Sequence, residues 1–358
     1  MSKLKIGVIF GGTNTEHEVS LVSAQSVIRN LNLAKYEIVP IKITKENVWL
    51  KAKELKPSYT PALGEKIVSA ETAIDSIDDL LEEHSLDVVF PVLHGPYGED
   101  GTIQGLLELM RLPYVGCGVT GSAICMDKII QKNVCQSYNI PVVPFFWLTL
   151  DEWSHDRSKM IKNITNKFKN KYPLFVKPAN QGSSVGITKA HDEKELEAGL
   201  SIALERDIKV IIEQGVENVR EIECSLLGNS SFPQVSVLGE IIPDQEFYSY
   251  ESKYLSGGSK SVIPADLSSE LTTAIQQTAK LAFQATDCYG LARIDFLLNS
   301  KTNEFYLNEI NTMPGFTPIS MYPKLWEATG VSYPELLDQL IDLAIKRYNQ
   351  KSKLNFSK

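Results

Sequence analysis

The sequence has no long hydrophobic run, although 43% of its residues are apolar. A helix that spans a membrane needs roughly 20 consecutive apolar residues, and no segment of the chain approaches that length. The N-terminal segment MSKLKIGVIFGG meets glycines too early to form the apolar core of a signal peptide. We therefore expect a cytoplasmic protein that makes no membrane contact.

Other absences narrow the chemistry. The five cysteines form no CxxC pair and are odd in number, so they predict reduced thiols rather than a disulfide framework. Cysteine and histidine nowhere have zinc-ligand spacing, and a net charge of -8 argues against a nucleic-acid surface. The dinucleotide fingerprint G-x-G-x-x-G and the G-K-[ST] start of a P-loop are also missing. The length of 358 residues predicts two or three domains.

Two neighbouring segments near the C-terminus predict a hairpin whose charged residues share one face. LARIDFLL and EFYLNEIN have the apolar character of buried strands, and SKTN between them is typical of a turn. Arg293 and Asp295 lie two residues apart, as do Glu309 and Asn311, so each pair faces one way along its strand. Two carboxylates and an amide suit Mg²⁺, whose protein ligands are hard oxygen atoms. The alternative is a buried salt bridge between Arg293 and Asp295.

Two lysines and a glycine-rich loop lie upstream of the hairpin. Lys128 falls in the first turns of a predicted helix, where the helix dipole does not favour a cation. Lys177 stands alone in an apolar strand, and burying it without an anionic partner would be costly. The segment GSSVG at 182–186 offers backbone N–H groups that can close over phosphates. A plain hairpin turn would explain the same glycines.

A polar strand end and a long loop complete the C-terminal pattern. The strand DIKVIIEQGV passes Glu213 and reaches Val216, and such a strip can hold an adenine ring through backbone groups and apolar side chains. Residues 245–263 are too polar for a core and long for a connection, which is typical of a lid over an active site. Lys253 and Tyr254 lie at its tip. A solvated surface loop is the alternative.

The N-terminal part alternates strands with helices, which predicts an open parallel α/β sheet with ligands at the carboxyl ends of its strands. The first strand runs into a Gly-Gly turn, and Thr15 or Ser20 can cap the helix that follows. Glu16 can bind a substrate ammonium group or simply favour the helix dipole. His94 ends a later strand, where it can serve a ligand or make a structural hydrogen bond.

Taken in order, these features resemble the ATP-grasp superfamily and, within it, the D-alanine–D-alanine ligase family. The resemblance covers essentially the whole chain and rests on the motifs GGTNTEHEVS, HGPYGEDGTIQG, MDK, FVKPANQGSSVG, IIEQG with REIEC, FYSYESKYLS, ARIDF and NEINTMPGFTPISMYPKLW. It implies an α/β and α+β protein with a Rossmann-like domain over 1–125. It further implies a central ATP-grasp subdomain over 126–221, a C-terminal one over 222–358, and a homodimer formed through the N-terminal domain.

The resemblance also implies a reaction that uses ATP and two D-alanine molecules. ATP phosphorylates the carboxylate of the first D-alanine to an acylphosphate, which the amine of the second D-alanine attacks. The product, D-alanyl-D-alanine, is a precursor of peptidoglycan. The implied cofactors are two Mg²⁺ ions, or Mn²⁺ in their place, held by Asp295, Glu309 and Asn311, with Glu309 bridging.

The nucleotide contacts implied by the resemblance fall into two groups. The residues that would bind adenine and ribose are Glu213, Gln214, Val216 and Glu221. Those that would contact or cover the phosphates are Lys128, Lys177, Ser183, Ser184 and Lys253. Gln214 departs from the family, since many relatives have lysine at that position.

The resemblance also implies contacts with both D-alanine molecules. Glu16 would hold the ammonium group of the first D-alanine, and Tyr254 would pack over the substrate and link to Glu16 through Ser183. Arg293 and the backbone N–H of Gly315 would stabilise the oxyanion of the tetrahedral intermediate, a contact that matters greatly in acyl transfer. The residues that would meet the second D-alanine are Ser320 and Met321 at its carboxylate and His94 near its amine.

Two other functions stay open at this point. A ligase that joins D-alanine to D-serine or D-lactate would share most of these motifs. A lactate-using enzyme would be expected to replace the neighbourhood of Tyr254, which here keeps the D-alanine pattern. A non-catalytic ATP-binding regulator would be expected to have lost Arg293 or the metal ligands, all of which are present.

Overall fold

The structure is a computed structural model that describes residues 3–52, 71–73, 86–243 and 259–355. Its strands are β1 Leu4–Gly11, β2 Tyr36–Ile43, β3 Trp49–Ala52, β4 Glu71–Ala73, β5 Val88–Val92, β6 Phe145–Thr149, β7 Leu174–Pro178, β8 Thr188–Ala190, β9 Lys209–Gln214, β10 Val219–Gly228, β11 Gln234–Pro243, β12 Ser259–Val262, β13 Gly290–Asn299 and β14 Phe305–Asn311. Its helices are α1 His17–Asn30, α2 Thr102–Leu109, α3 Val119–Met126, α4 Lys128–Ser137, α5 Leu150–His155, α6 Arg157–Phe168, α7 Glu193–Leu204, α8 Ser269–Ala285, α9 Met321–Thr329 and α10 Tyr333–Lys351. Within the residues described, no helix is both long and apolar enough to span a membrane.

The N-terminal sheet has the strand order β4-β3-β2-β1-β5 and is mixed rather than wholly parallel. Strand β1 pairs in parallel with β2 and β5, as the sequence predicts. The prediction is wrong for β3 and β4, which run antiparallel to their neighbours. Because only a short turn joins β2 to β3, the two strands cannot be parallel, since a parallel pair needs a long crossover. The carboxyl ends of β1 and β5 still meet at one edge.

The turn after β1 fixes that edge. Gly11 has a φ of +94°, and a Cβ there would lie 2.1 Å from a backbone carbonyl oxygen of β2, so only glycine fits. Glu16 occupies the N-cap position of α1, so the prediction that Thr15 or Ser20 caps this helix is wrong. The Ser20 hydroxyl instead accepts a hydrogen bond from Gly11 N at 2.8 Å and donates to the carbonyl of Val92. This serine thereby joins the ends of β1 and β5.

Two antiparallel sheets make up the rest of the fold. The first has the order β6-β9-β7-β8 and the second β12-β11-β10-β13-β14. Apolar side chains of α6 and α7 pack on the first sheet, and those of α8 pack on the second. Strand β10 begins at Val219, before the predicted subdomain boundary at 222, and belongs to the second sheet. The predicted division into domains stays a prediction.

The last two helices return the chain to the N-terminal sheet. Leu336 and Leu340 of α10 and Trp326 of α9 are buried in one core with Ile6 of β1 and Phe90 of β5. The α9 helix also packs against β10 and β11. The hairpin β13–β14, which precedes these helices, is therefore held in a fixed place beside the ends of β1 and β5.

Candidate active site between three sheets

A cleft lies between the two antiparallel sheets. It is lined by every predicted ATP-binding residue that the structure describes, namely Lys128, Lys177, Ser183, Ser184, Glu213, Gln214, Val216 and Glu221. Phe175 and Phe296 add apolar wall, which suits an aromatic ring. Lys253, the remaining predicted contact, lies outside the described residues.

The floor of the cleft holds a buried carboxylate between two lysines. Glu213 at the end of β9 lies 2.8 Å from Lys132 Nζ through Oε1 and 2.5 Å from Lys177 Nζ through Oε2. Burial alone would raise the pKa of Glu213, but the two ammonium groups outweigh it and hold the pKa at about 2. Glu213 in turn raises the pKa of Lys177 against the effect of burial. Lys132 was not predicted, although its spacing of four from Lys128 places both on one helical face.

Lys128 begins helix α4, where the dipole opposes a cation, and its surroundings offset that cost. The preceding residue, Asp127, caps the helix by accepting hydrogen bonds from Ile129 N and Ile130 N. The Lys128 ammonium donates a hydrogen bond of 2.6 Å to the carbonyl of Gln181, the residue before the glycine-rich loop. Burial lowers the pKa of Lys128.

The glycine-rich loop contacts the N-terminal sheet. Ser183 and Ser184 both have positive φ values, 48° and 61°, which are uncommon for residues other than glycine. The Ser183 hydroxyl donates a hydrogen bond to Glu16 Oε1. Gly182 lies so close that a Cβ there would be 2.5 Å from Glu16 Oε2. The predicted link from Glu16 to Ser183 is thus present, whereas Tyr254 lies outside the described residues.

A second cavity adjoins the cleft. It is lined by every predicted substrate-binding residue that the structure describes, namely Glu16, His94, Arg293, Gly315, Ser320 and Met321. Its wall shares Ser183, Arg293 and Glu309 with the cleft. A group bound in the cavity can therefore meet a group bound in the cleft at these side chains.

The hairpin between the two spaces is irregular where its charges lie. Asp295 pairs with Glu309 and Arg293 with Asn311, but Phe296 pairs with Leu307, so Asn308 is an extra residue on β14. This bulge lets two consecutive residues of β14, Asn308 and Glu309, line the same cleft. The predicted hairpin is confirmed. Nothing in the sequence pattern indicated its bulge or the role of Asn308.

Arg293 forms the salt bridge that stood as the alternative to a ligand role. Its Nε and one terminal nitrogen donate to the two oxygens of Asp295 at 2.8 and 2.7 Å, and Nε lies 3.2 Å from Glu223. Although burial would lower it, these carboxylates raise the pKa of Arg293 well above its usual value. The guanidinium still lines both the cleft and the cavity, so the salt bridge and a substrate contact are compatible.

The predicted metal ligands fit Mg²⁺ in their chemistry but not as a complete cage. Two carboxylates and an amide, from Asp295, Glu309 and Asn311, lie at alternate paired positions of the hairpin, with the pair Ile294 and Ile310 between them. The described residues contain no group of three or more His, Cys, Asp or Glu side chains that could hold a metal by itself. Phosphate oxygens and water would have to complete the ligand set, as is usual for Mg²⁺. Asp295 also accepts hydrogen bonds from Arg293 and Asn311.

His94 is held by hydrogen bonds on both ring nitrogens. Nδ1 lies 2.9 Å from the carbonyl of Met313, and Nε2 lies 2.9 Å from the hydroxyl of Ser23. The carbonyl can only accept, so Nδ1 carries the proton and Nε2 accepts from Ser23. Burial lowers the pKa of His94 to about 4, so the ring is neutral at pH 7. This arrangement favours a role in positioning the segment before Gly315.

Glu99 is a site residue that the sequence reasoning missed. Its two carboxylate oxygens accept hydrogen bonds from Gly95 N at 2.7 Å and Met313 N at 3.0 Å, joining the loop after β5 to the segment after β14. Burial and the neighbouring charge of Glu16 raise the pKa of Glu99 to about 8. The only available signal was an acidic residue inside the glycine-rich motif HGPYGEDG.

The start of helix α9 supplies a position for an anion. Ser320 is its N-cap and makes no side-chain cap bond, while its hydroxyl accepts a hydrogen bond from Thr317 N at 3.0 Å. Gly315 lies against it, since a Cβ there would be 2.6 Å from Ser320 Oγ. The partial positive charge of a helix N-terminus favours a carboxylate at such a place. The contacts of Ser320 and Met321 with a substrate carboxylate stay a prediction.

Comparison with known proteins decides the family. Residues 5–117 match the family described as D-ala D-ala ligase N-terminus, and residues 134–342 match D-ala D-ala ligase C-terminus. The chain belongs to the D-alanine–D-alanine ligase family. The predicted ATP-grasp fold class is thereby confirmed.

Individual relatives are similar to this ligase over nearly its full length. A D-alanine--D-alanine ligase from Caldicellulosiruptor bescii is 47% identical, with 100% of each chain covered. The crystal structure of a D-alanine--D-alanine ligase from Bacillus anthracis complexed with ATP is 30% identical, with a TM-score of 0.75 over 98% of this chain and 100% of that one. The VanG D-Ala:D-Ser ligase from Enterococcus faecalis is 32% identical, with a TM-score of 0.77 over 96% and 100%.

The Glu213 carboxylate makes the free energy of unfolding of the ligase fall at acidic pH. Its pKa is about 2 in the folded chain and about 4.5 in the unfolded chain, so its contribution is present above pH 4.5 and is lost as the pH falls toward 2. We expect Glu213→Gln to destabilise the fold at pH 7 by about 3–5 kcal/mol, because two buried lysines lose their anion. We also expect the variant to lose less stability than the wild type between pH 5 and pH 3. Urea unfolding across this range measures both effects, and parallel pH curves would contradict the assignment.

Proposed function

We propose that this ligase joins two D-alanine molecules to D-alanyl-D-alanine at the expense of ATP, as a step in peptidoglycan precursor synthesis. The observation that carries the proposal is the wall of Arg293, Glu309 and Ser183 shared by the cleft and the cavity. A nucleotide in the cleft and an amino acid in the cavity would meet there, which is what transfer of a phosphoryl group to a carboxylate requires.

In the first step, a carboxylate oxygen of D-alanine attacks the γ-phosphorus of ATP. The new bond is C–O–P, the bond between γ-phosphorus and the bridging oxygen breaks, and ADP leaves. Lys128, Lys177 and the N–H groups of 182–186 stabilise the phosphates, and Lys253 is proposed to reach the transferred group. Asp295, Glu309 and Asn311 would hold two Mg²⁺ ions, or Mn²⁺, which neutralise phosphate charge when bound. Glu16 holds the ammonium group of this first D-alanine.

In the second step, the amine of another D-alanine attacks the acylphosphate carbon. The amide bond forms, the C–O bond to phosphate breaks, and inorganic phosphate leaves with the proton that the amine gives up. Arg293 and the Gly315 N–H stabilise the oxyanion that develops between these events. The N-terminus of α9, at Ser320 and Met321, binds the carboxylate of the second D-alanine, and His94 fixes the segment that carries Gly315.

Three parts of the proposal rest on the family resemblance. Tyr254 packs over the substrate and extends the link between Ser183 and Glu16. The protein acts in the cytoplasm, and it acts as a homodimer formed through its N-terminal domain.

D-Serine is a second candidate for the attacking substrate. It is favoured by the likeness to the VanG D-Ala:D-Ser ligase, with a TM-score of 0.77. D-Lactate is a third candidate for the attacking substrate. It has a hydroxyl group where D-alanine has the amine. Any of the three would place a carboxylate at the start of α9, so the cavity by itself favours all of them equally.

Turnover with defined substrates tests the proposal. Incubation with ATP, Mg²⁺ and D-alanine should release one phosphate per D-alanyl-D-alanine formed, measured by a phosphate assay and by chromatography of the dipeptide. With D-alanine, D-serine and D-lactate in competition at neutral pH, the dipeptide of D-alanine should dominate. Dominance of a D-serine or D-lactate product would replace the proposed substrate, and no turnover with any D-amino-acid pair would refute the ligase reaction.

Replacement of one proposed metal ligand tests the hairpin. Glu309→Gln keeps the shape of the side chain but removes the charge, so we expect turnover to fall by about 10²- to 10³-fold, on the order of removing one group that stabilises transition-state charge. Glu304→Gln, a change of the same type at an exposed position just before β14, is the control and should leave turnover unchanged. Circular dichroism should show both variants folded. Near-normal turnover in Glu309→Gln would overturn the metal assignment.

A further inference from the structure

Lys132 is the most deeply buried cation beside the cleft, and the proposed reaction gives it no role. Its side chain is 0% exposed, whereas that of Lys177 is 12% exposed. Lys177 lines the cleft, whereas Lys132 does not and is fully buried. The two lysines thus contact the two different oxygens of one carboxylate, and only Lys177 is exposed to a ligand in the cleft.

Three oxygen atoms surround the ammonium group of Lys132. Besides Glu213 Oε1 at 2.8 Å, it donates to the carbonyls of Asn308 at 3.2 Å and Leu307 at 3.4 Å. An ammonium group has three N–H donors, and three oxygens surround this one. Two of these oxygens belong to the bulged part of β14, so the same contact ties helix α4 to the hairpin.

Lys177 has different surroundings. Its ammonium lies 2.5 Å from Glu213 Oε2, makes a longer hydrogen bond of 3.4 Å to Asn308 Oδ1, and lies 5.9 Å from the centroid of the Phe175 ring. It also faces the cleft, where a nucleotide phosphate would compete with Glu213 for it. Were Lys177 the sole partner of Glu213, turning toward a phosphate would leave a buried carboxylate without a counter-ion, which is strongly unfavourable.

We infer that Lys132 is a positioning residue, the permanent counter-ion of Glu213 that frees Lys177 to turn from Glu213 to the phosphates of ATP. The inference rests on the proposed assignment of the cleft to ATP. It explains why a carboxylate with 3% exposure has two lysine partners of unequal exposure. It also predicts that loss of Lys132 weakens ATP binding although Lys132 itself touches no nucleotide.

The test is a set of binding and kinetic measurements on full-length variants. Lys132→Met should raise the Kd and KM for ATP about ten- to hundredfold, the value of one hydrogen bond to a charged group, while the KM for D-alanine stays within about twofold. Lys132→Gln, which keeps a donor for the carbonyls but removes the charge, should behave alike and replaces Lys132→Met if that variant does not fold. Equal increases in both KM values would indicate general damage and overturn the inference.

A matched control exists on the same two elements. Lys209 of β9 forms an ion pair with Asp127 at the start of α4, and neither residue lines the cleft. Lys209→Met thus removes a second ion pair between the same strand and helix. We expect it to leave the KM for ATP within about twofold, and an increase as large as that in Lys132→Met would assign the effect to loosened packing.

A double-mutant cycle separates the mechanism from a structural role. In a Glu213→Gln background there is no carboxylate to compensate, so adding Lys132→Met should weaken ATP binding no further, within about threefold. A full further loss in that background would overturn the inference.

Lys177→Met tests the proposed ATP site separately from the proposed role of Lys132. If it leaves ATP affinity unchanged, the ATP site itself is wrong, whereas loss in Lys177→Met without loss in the Lys132 variants refutes only the role of Lys132.

Discussion

A buried carboxylate between two lysines is the interaction on which the candidate site depends. Glu213 ends β9, Lys177 comes from β7, and Lys132 comes from α4 and reaches β14 through two carbonyls. One charge cluster thereby joins both antiparallel sheets and the helix beside them. An unpaired charge at this depth would be costly, so the cluster stabilises the contact between these elements.

The cavity proposed for the substrates depends on contacts with the N-terminal sheet. Ser183 of the glycine-rich loop reaches Glu16 at the start of α1, and Glu99 joins the loop after β5 to the segment that carries Gly315. Neither sheet supplies a complete substrate cavity by itself. Their meeting is enforced by α9 and α10, whose apolar faces are buried with β1 and β5. The proposed phosphoryl transfer and amide formation would thus use residues from three sheets.

The sequence predicted site residues well where a local pattern identifies them. It predicted them less well where the fold brings together residues that are distant in sequence. Charges two residues apart in apolar strands identified the hairpin of Arg293 and Glu309, and the ordered motifs identified the family. Lys132 and Glu99 were missed, because their significance comes from partners distant in sequence. The extra residue Asn308 was missed because a bulge changes strand register without a change in hydrophobic alternation. The antiparallel edge strands β3 and β4 were missed, because the alternation of strands and helices does not reveal the direction of edge strands.

The central claim is that the cleft holds ATP and that Lys177 exchanges Glu213 for phosphate while Lys132 stays in place. A crystal structure with Mg²⁺, D-alanine and a non-hydrolysable ATP analogue tests it most directly. The account predicts the triphosphate between 182–186 and the hairpin, the Lys177 ammonium on a phosphate oxygen, and the Lys132 ammonium still beside Glu213. A nucleotide bound elsewhere, or a Lys177 that keeps Glu213 as its partner with ATP present, would contradict it.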